Sequence, residues 1–338
     1  ARRARYNSLG DARPARTFSP PLFSISRPPN VMQPIYLDHA ATTPLEPAAA
    51  ARMTACHAEL VGNPASQHYA GRLARRQLED ARTAIAALLG VDLDRHPADE
   101  LVLTSGGTES NNLALFGLAG EAPGRILVSS LEHPSVLRPA ERLAERGFQL
   151  ETIAATRDGL LDLADLDRRL AEPSRFVAVT FCNHETGVLQ PLDEIAVRCA
   201  YAGIPLHVDA AQAVGRTEID FPSLGATTFA FAAHKFGGPG GIGGLLVRAG
   251  TELAPLHFGG FQQHGRRAGS EDVALAVGML AALEAWDRER PERVAALVAL
   301  RDQFEAAILQ ARPTATVQGS TAPRLPHTSN VAFPPLDR

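Results

Sequence analysis

Phe229-Ala230-Phe231-Ala232-Ala233-His234-Lys235-Phe236-Gly237-Gly238-Pro239-Gly240-Gly241-Ile242-Gly243-Gly244 runs from an apolar, strand-like stretch into a glycine-rich loop. At its centre stands Lys235, the single lysine of a 338-residue chain. Lysine and arginine together number 33, and all but this one are arginine. A sequence so poor in lysine uses arginine wherever positive charge alone is needed. The lysine that remains points to chemistry that arginine does not perform, namely losing its proton and forming an imine. Gly238, Gly240 and Gly243 match G-x-G-x-x-G, but that fingerprint must follow a strand directly and open a helix. Here Leu245-Leu246-Val247 continues as a short strand. The glycines are therefore read as room for a cofactor and for close passage of backbone.

Outward from this stretch, strand and helix patterns alternate. Apolar runs at 101–103, 125–129, 176–181, 204–208 and 227–232 read as buried strands. Amphipathic segments at 72–89, 135–146 and 192–202 read as helices, the first stopped by Gly90. This rhythm predicts an α/β fold, with a large, mainly parallel sheet covered by helices on both faces. Two helices are expected beyond it, at 273–290 and 292–310. Strands are expected at 329–333 and, near the start, at 34–37. The expected domains are a disordered extension at 1–33, the N-terminal segment of a small domain at 34–45, a large domain at 46–272, and a linking helix with an incomplete small α/β domain at 273–338. No internal repeat is visible.

Residues 1–31 hold six arginines, one acid (Asp11) and prolines at 14, 20, 21, 28 and 29. An arginine-rich, acid-poor leader is the pattern of a mitochondrial transit peptide. The prolines interrupt the helix such a leader needs, so the expectation is a disordered extension, or upstream sequence in front of a start at Met32, and a cytoplasmic location. At the other end, Pro334-Pro335-Leu336-Asp337-Arg338 follows a strand with nothing to pack on it, which reads as a cut chain.

Composition narrows the function classes. Hydrophobic residues make up 45% and charged residues 21%, enough for a sizeable core. A net charge of −4 supplies no basic field for nucleic acid or an anionic membrane. Cys56, Cys182 and Cys199 are odd in number and scattered, which argues against a disulfide framework or a zinc site and for a reducing compartment. No metal site is expected. No apolar run approaches the roughly 20 residues that span a bilayer.

Two further segments carry chemistry. Leu101 to Asn112 passes from a buried strand through Ser105-Gly106-Gly107 into a helix. Close-approaching backbone, the free N–H groups of a helix start and the Thr108 hydroxyl make a phosphate cradle; a plain helix cap is the bland alternative. Ile204 to Gln212 is an apolar strand ending in Asp209, where α/β folds bind ligands; here too a helix cap is the alternative. A phosphate cradle, a strand-end aspartate and a lone lysine together are what pyridoxal 5'-phosphate requires. The lysine forms the imine, the aspartate keeps the ring nitrogen protonated and the helix end holds the phosphate.

With these pieces in place the chain, from about residue 34 onward, resembles the cysteine desulfurases of the class V aminotransferase family. The matching segments are Tyr36 to Pro44, Gly62 to Ser66, Thr104 to Asn112, Glu132-His133, Asn183 to Gly187, His207 to Gln212 and Ala233 to Lys235. The resemblance implies a fold-type I pyridoxal-phosphate transferase that converts L-cysteine to L-alanine. Its sulfur would pass, as an enzyme persulfide, toward iron–sulfur cluster assembly or another sulfur-transfer route. It implies that Lys235 carries the cofactor and moves the α-proton, and that Asp209 pairs with the ring nitrogen. Gln212 would bond the phenolic oxygen, and Gly107, Thr108 and His234 the phosphate. His133 would stack on the ring and assist proton transfer. Ser270 would reach the phosphate of the other subunit in a homodimer, and a sulfur acceptor or scaffold protein would be a partner. Ala232 and His184 stand where the family usually has serine and asparagine, His184 near the phenolic oxygen and the substrate carboxylate. The family's nucleophilic cysteine lies on a loop beyond the strand ending near Phe333, as does its carboxylate-binding arginine. None of the three cysteines here aligns with that cysteine, so the present chain is expected to be inactive alone. Two alternatives share these motifs: a selenocysteine lyase or other class V lyase or aminotransferase, and a non-catalytic cofactor-binding remnant.

Overall fold

The structure, a computed structural model, describes residues 35–334. The expected extension at 1–33 lies outside the described residues. Of the described residues, 38–334 form one compact unit, to which 35–37 do not belong. The contacts make no division at residue 272.

Residues 35–37 carry no strand, contrary to the sequence expectation at 34–37. An apolar stretch becomes a strand only when a neighbour completes its backbone ladder, and no described strand pairs there.

In chain order the elements are α1 (Pro47–Glu59), α2 (Tyr69–Leu88), β1 (Glu100–Thr104), α3 (Gly107–Ala119), β2 (Arg125–Ser129), α4 (Pro134–Glu145), β3 (Gln149–Ile153) and α5 (Leu163–Leu170). They continue as β4 (Val177–Thr180), α6 (Leu192–Tyr201), β5 (Leu206–Asp209), β6 (Thr228–Ala232), β7 (Gly243–Val247), α7 (Val273–Ala311), β8 (Thr316–Val317) and β9 (Val331–Ala332).

The first seven strands form one sheet in the order β1-β7-β6-β5-β4-β2-β3. Every neighbouring pair from β3 across to β6 is parallel, while β7 runs antiparallel to both β6 and β1. The mainly parallel sheet is thus as expected. β7 also closes the nucleotide-fingerprint question, because the glycine loop leads into a strand of the same sheet and not a helix.

Successive strand residues face opposite layers, as the period of two requires. Leu127, Val177, Val179, Val208, Phe229 and Leu246 pack on one side with α2, α6 and the start of α7. Ile126, Val128, Ala178, Ala230 and Leu245 pack on the other with α3 and α4. Burial on both faces is why these strands read as continuous apolar runs.

One helix replaces the two expected after residue 272. α7 continues through Pro291. A proline deprives the carbonyl four residues earlier of its partner, and that residue, Asp287, is exposed, so water can satisfy it. The proline also marks where the buried part of the helix, which ends at Trp286, gives way to the exposed part. Beyond it, β8 and β9 form a small antiparallel pair. The segment between them is pinned to the turn after β4, with Leu325 N donating to Gly187 O at 2.8 Å and Leu189 N to Pro323 O at 2.8 Å.

Candidate active site

The parallel strands end together, and their carboxyl ends meet the start of α3 around a cavity of about 210 Å³. Asp209 is the last residue of β5 and is buried. Its Oδ2 accepts from Asn111 Nδ2 at 2.9 Å and its Oδ1 from Ala211 N at 2.9 Å. No helix follows β5, so the helix-cap alternative is not met; the second bond closes a turn, and the carboxylate lines the cavity.

Lys235 follows β6 in a 3-10 turn, Ala233–Lys235. Its Nζ reaches the Ala40 carbonyl at 2.6 Å. Burial, and next the Arg216 guanidinium, hold its pKa below the usual lysine value against the opposing pull of Asp209 and Asp38.

The cradle is open. Gly106 is the N-cap of α3 and no side chain caps the helix. Ser105 N is taken by the Glu109 carboxylate at 2.6 Å, which leaves the N–H groups of Gly107 and Thr108 without a partner among the described residues. Gly106 has φ 149°, a conformation that favours glycine. Gly243 lets this backbone pass, since a Cβ there would lie 2.5 Å from Phe231 O and 2.7 Å from Gly106 Cα. That is the close passage expected of the glycine loop. Ala232 faces Gly107 across the cavity wall, so no hydroxyl is offered from that position.

His133 caps α4, its Nδ1 accepting from Ser135 N at 3.0 Å and lying 2.8 Å from Ser135 Oγ. Burial keeps its pKa below the ordinary histidine value. The His184 ring meets it edge-on with centroids 5.2 Å apart. His234 lines the same cavity and lies 3.2 Å from Thr42 Oγ1 through Nδ1. Gln212 Nε2 donates to Ala40 O at 2.8 Å.

Two groups that the sequence did not single out support the site: Asn111 in the cavity wall and Arg216 behind it. Asn111 bonds Asp209, Ser135 and His207. Arg216 donates to the carbonyls of His39 at 2.6 Å and Lys235 at 2.8 Å, to Gln212 Oε1, and to His327 Nε2 at 2.6 Å. It has no carboxylate partner among the described residues. Burial drops its pKa to about 10. In a chain this rich in arginine, nothing in the sequence distinguishes Arg216 from its surface counterparts.

The family model for aminotransferase class-V matches residues 35–338. The chain belongs to the class V aminotransferase family. Among curated relatives, the cysteine desulfurase IscS of Dictyoglomus turgidum is 36% identical over 302 residues, covering 88% of this chain and 75% of that protein. The cysteine desulfurase NifS of Azotobacter vinelandii is 36% identical over 304 residues, covering 89% and 75%. Among solved structures, a NifS-like protein from Rickettsia africae superposes with TM-score 0.83 at 29% identity, covering 90% of this chain and 83% of that one. A structure described as SspA in complex with cysteine gives TM-score 0.76 at 31% identity, covering 88% and 83%. The resemblance drawn from the motifs is thus borne out for family, fold and class of enzyme.

Within this class V site, the structure brings together Gly107, Thr108, His133, His184, Asp209, Gln212, His234 and Lys235. Ser270 is not among them; it is exposed, on the loop before α7. Cys56, Cys182 and Cys199 are free and buried. Cys182 lines the cavity, yet complete burial raises its thiol pKa far above the ordinary value. Burial pushes Cys199 up to about 12, and Cys56 is raised by burial and then by Asp272 and Glu59. Burial and a raised pKa both disfavour the thiolate that a nucleophile needs, in keeping with none of the three aligning with the family's nucleophilic cysteine.

Proposed function

We propose that this cavity binds pyridoxal 5'-phosphate and that the chain carries the cofactor site of a cysteine desulfurase, which takes sulfur from L-cysteine and passes it to a protein thiol. The observation that carries this reading is the convergence of three unlike groups on one cavity: the only lysine, a buried strand-end carboxylate and an uncapped helix start. The donor set fits the cofactor group by group. The free N–H groups of Gly107 and Thr108, with the Thr108 hydroxyl and His234, would hold the phosphate. Asp209 would hold the ring N–H, Gln212 and His184 the phenolic side, and His133 the ring face. When bound, the cofactor supplies an aldehyde that captures an amine and a ring that stabilises negative charge at the substrate's α-carbon.

The chain's own residues do the rest. Lys235 would hold the cofactor through Nζ and would move the α-proton as a free amine; its lowered pKa favours that free form. Asp209, with both oxygens already anchored, presents a fixed negative charge and does not reorient when charge develops. Arg216 holds the His39 carbonyl, and the next carbonyl, Ala40 O, accepts from both Lys235 Nζ and Gln212 Nε2, which fixes where these two side chains rest. Exposed and outside this cavity, Ser270 supports a role toward a second copy, in a homodimer. A sulfur-acceptor or scaffold protein is the further partner. Three unpaired thiols support a reducing, cytoplasmic setting; among the described residues no helix is long and apolar enough to cross a membrane.

The test is covalent capture. Protein incubated with pyridoxal phosphate and reduced with borohydride should carry label on one peptide, the one containing Lys235. Lys235→Arg should carry none, because arginine keeps its proton. Label on another residue, or bound cofactor that borohydride never fixes to the wild-type chain, would defeat the reading.

A further inference from the structure

Asn111 sits at the centre of a buried hydrogen-bond chain whose direction is fixed. Its Nδ2 donates to Asp209 Oδ2 at 2.9 Å and to Ser135 Oγ at 2.8 Å, and its Oδ1 lies 3.0 Å from His207 Nε2. The amide cannot be turned over, since that would set Oδ1 against the Asp209 carboxylate, which only accepts. Oδ1 also only accepts, so His207 carries its proton on Nε2. The bare Nδ1 of His207 then accepts a hydrogen bond from the Thr228 hydroxyl, 2.9 Å away. Complete burial keeps this imidazole neutral, with its pKa pulled down to about 3.

The other arm reaches the cavity. Ser135 Oγ accepts a hydrogen bond from Asn111 Nδ2 and donates one to His133 Nδ1 at 2.8 Å, while the Ser135 backbone N–H donates to that same nitrogen at 3.0 Å. Two donors meet at Nδ1, so the proton of neutral His133 sits on Nε2. That nitrogen has no partner among the described residues and belongs to a ring that lines the cavity. The other groups facing the ring are Asp209, His184 and Lys235, and none of them hydrogen-bonds it.

We propose that Asn111 is a positioning residue that ties the charge of Asp209 to the tautomers of His207 and His133, and that His133 meets the bound amino acid as an N–H donor and not as a base. Removal of the α-proton then falls to Lys235. This division of labour rests on the function proposed above; the tautomers themselves do not.

Nitrogen-detected NMR of the full chain labelled with ¹⁵N-histidine tests it, with His133→Gln and His207→Gln assigning the two signals. Both histidines should show a protonated Nε2 and a bare Nδ1, with or without pyridoxal phosphate. In Asn111→Leu, His207 loses its acceptor and should move its proton to Nδ1, where Thr228 Oγ1 accepts it. A proton on Nδ1 of wild-type His133 overturns the proposal, as does a folded Asn111→Leu protein with His207 unchanged. Should that variant not fold, the wild-type tautomers decide alone. Borohydride capture at Lys235 on the same samples separates the two readings: capture without these tautomers removes this inference only, and the tautomers without capture remove the cofactor reading and the division of labour built on it, leaving Asn111 as the residue that sets the two tautomers.

Discussion

Each oxygen of the Asp209 carboxylate accepts one hydrogen bond and keeps a lone pair for another donor. The group is thereby aimed as well as charged. Asp209→Asn should still capture cofactor at Lys235 but exchange the α-proton of added amino acid for deuterium at least about a hundredfold more slowly, a step that needs no nucleophilic cysteine, since the aimed charge is gone; near-normal exchange would reduce Asp209 to a turn anchor. Next to it, His207 couples the site to acid. Its folded pKa, about 3, lies below the ~6.5 of an unfolded histidine. As pH falls below ~6.5 the unfolded chain takes up a proton that the fold refuses, so stability drops between there and about pH 3 and is unaffected above. At pH 5 the loss from this residue is about 2 kcal/mol, measurable as a lower urea midpoint than at pH 7. His207→Gln, whose amide can still donate to Asn111, should lessen that drop. Lys235 and Asp209 were legible in the sequence because each is chemically conspicuous at a strand end. Asn111 was not, because its partners lie 24, 96 and 98 residues away and only the folded sheet collects them.

Among the elements, the loop from β6 to β7 and the start of α3 are built against each other. Gly243→Ala would drive a methyl into the backbone of both Phe231 and Gly106. About 1–3 kcal/mol of stability should be lost, with a clear fall in pyridoxal phosphate affinity, read by urea unfolding and by cofactor titration. Gly107→Ala, whose methyl would meet only the Ala211 and Ala232 side chains at 3.6 Å, should change stability by less than about 1 kcal/mol. In α7, Pro291→Ala should stabilise the protein by up to ~3 kcal/mol, because the helix already runs through that position and would regain a hydrogen bond. Central strands were readable as apolar runs, whereas β3 was not. It is an edge strand, mostly exposed or half-buried, so its sequence, Gln149-Leu150-Glu151-Thr152-Ile153, carries no such run. The break read at Pro291 reflects local chemistry that the packing of the buried half of α7 overrides.

Across the whole molecule, the Arg216 guanidinium fastens together stretches near residues 39, 212, 235 and 327. Thr43 N donates to His234 O at 2.9 Å and Glu46 N to Gly237 O at 2.8 Å, which continues the same seam. Removing the guanidinium leaves several buried acceptors unpaired, so Arg216→Met should cost about 3 kcal/mol or more. Amide exchange at Thr43 should quicken before global unfolding. The parallel architecture followed from the alternation of strands and helices, but the reversed direction of β7 did not, because a short apolar run looks the same in either sense. The single lysine has a last consequence, for protein chemistry. An endoprotease that cuts only after lysine finds one bond in the entire sequence, Lys235–Phe236, and that bond lies in the turn between β6 and the glycine loop. Digestion can therefore yield only two fragments, split at the proposed active site, and the rate at which they appear is a direct clock for the opening of that site.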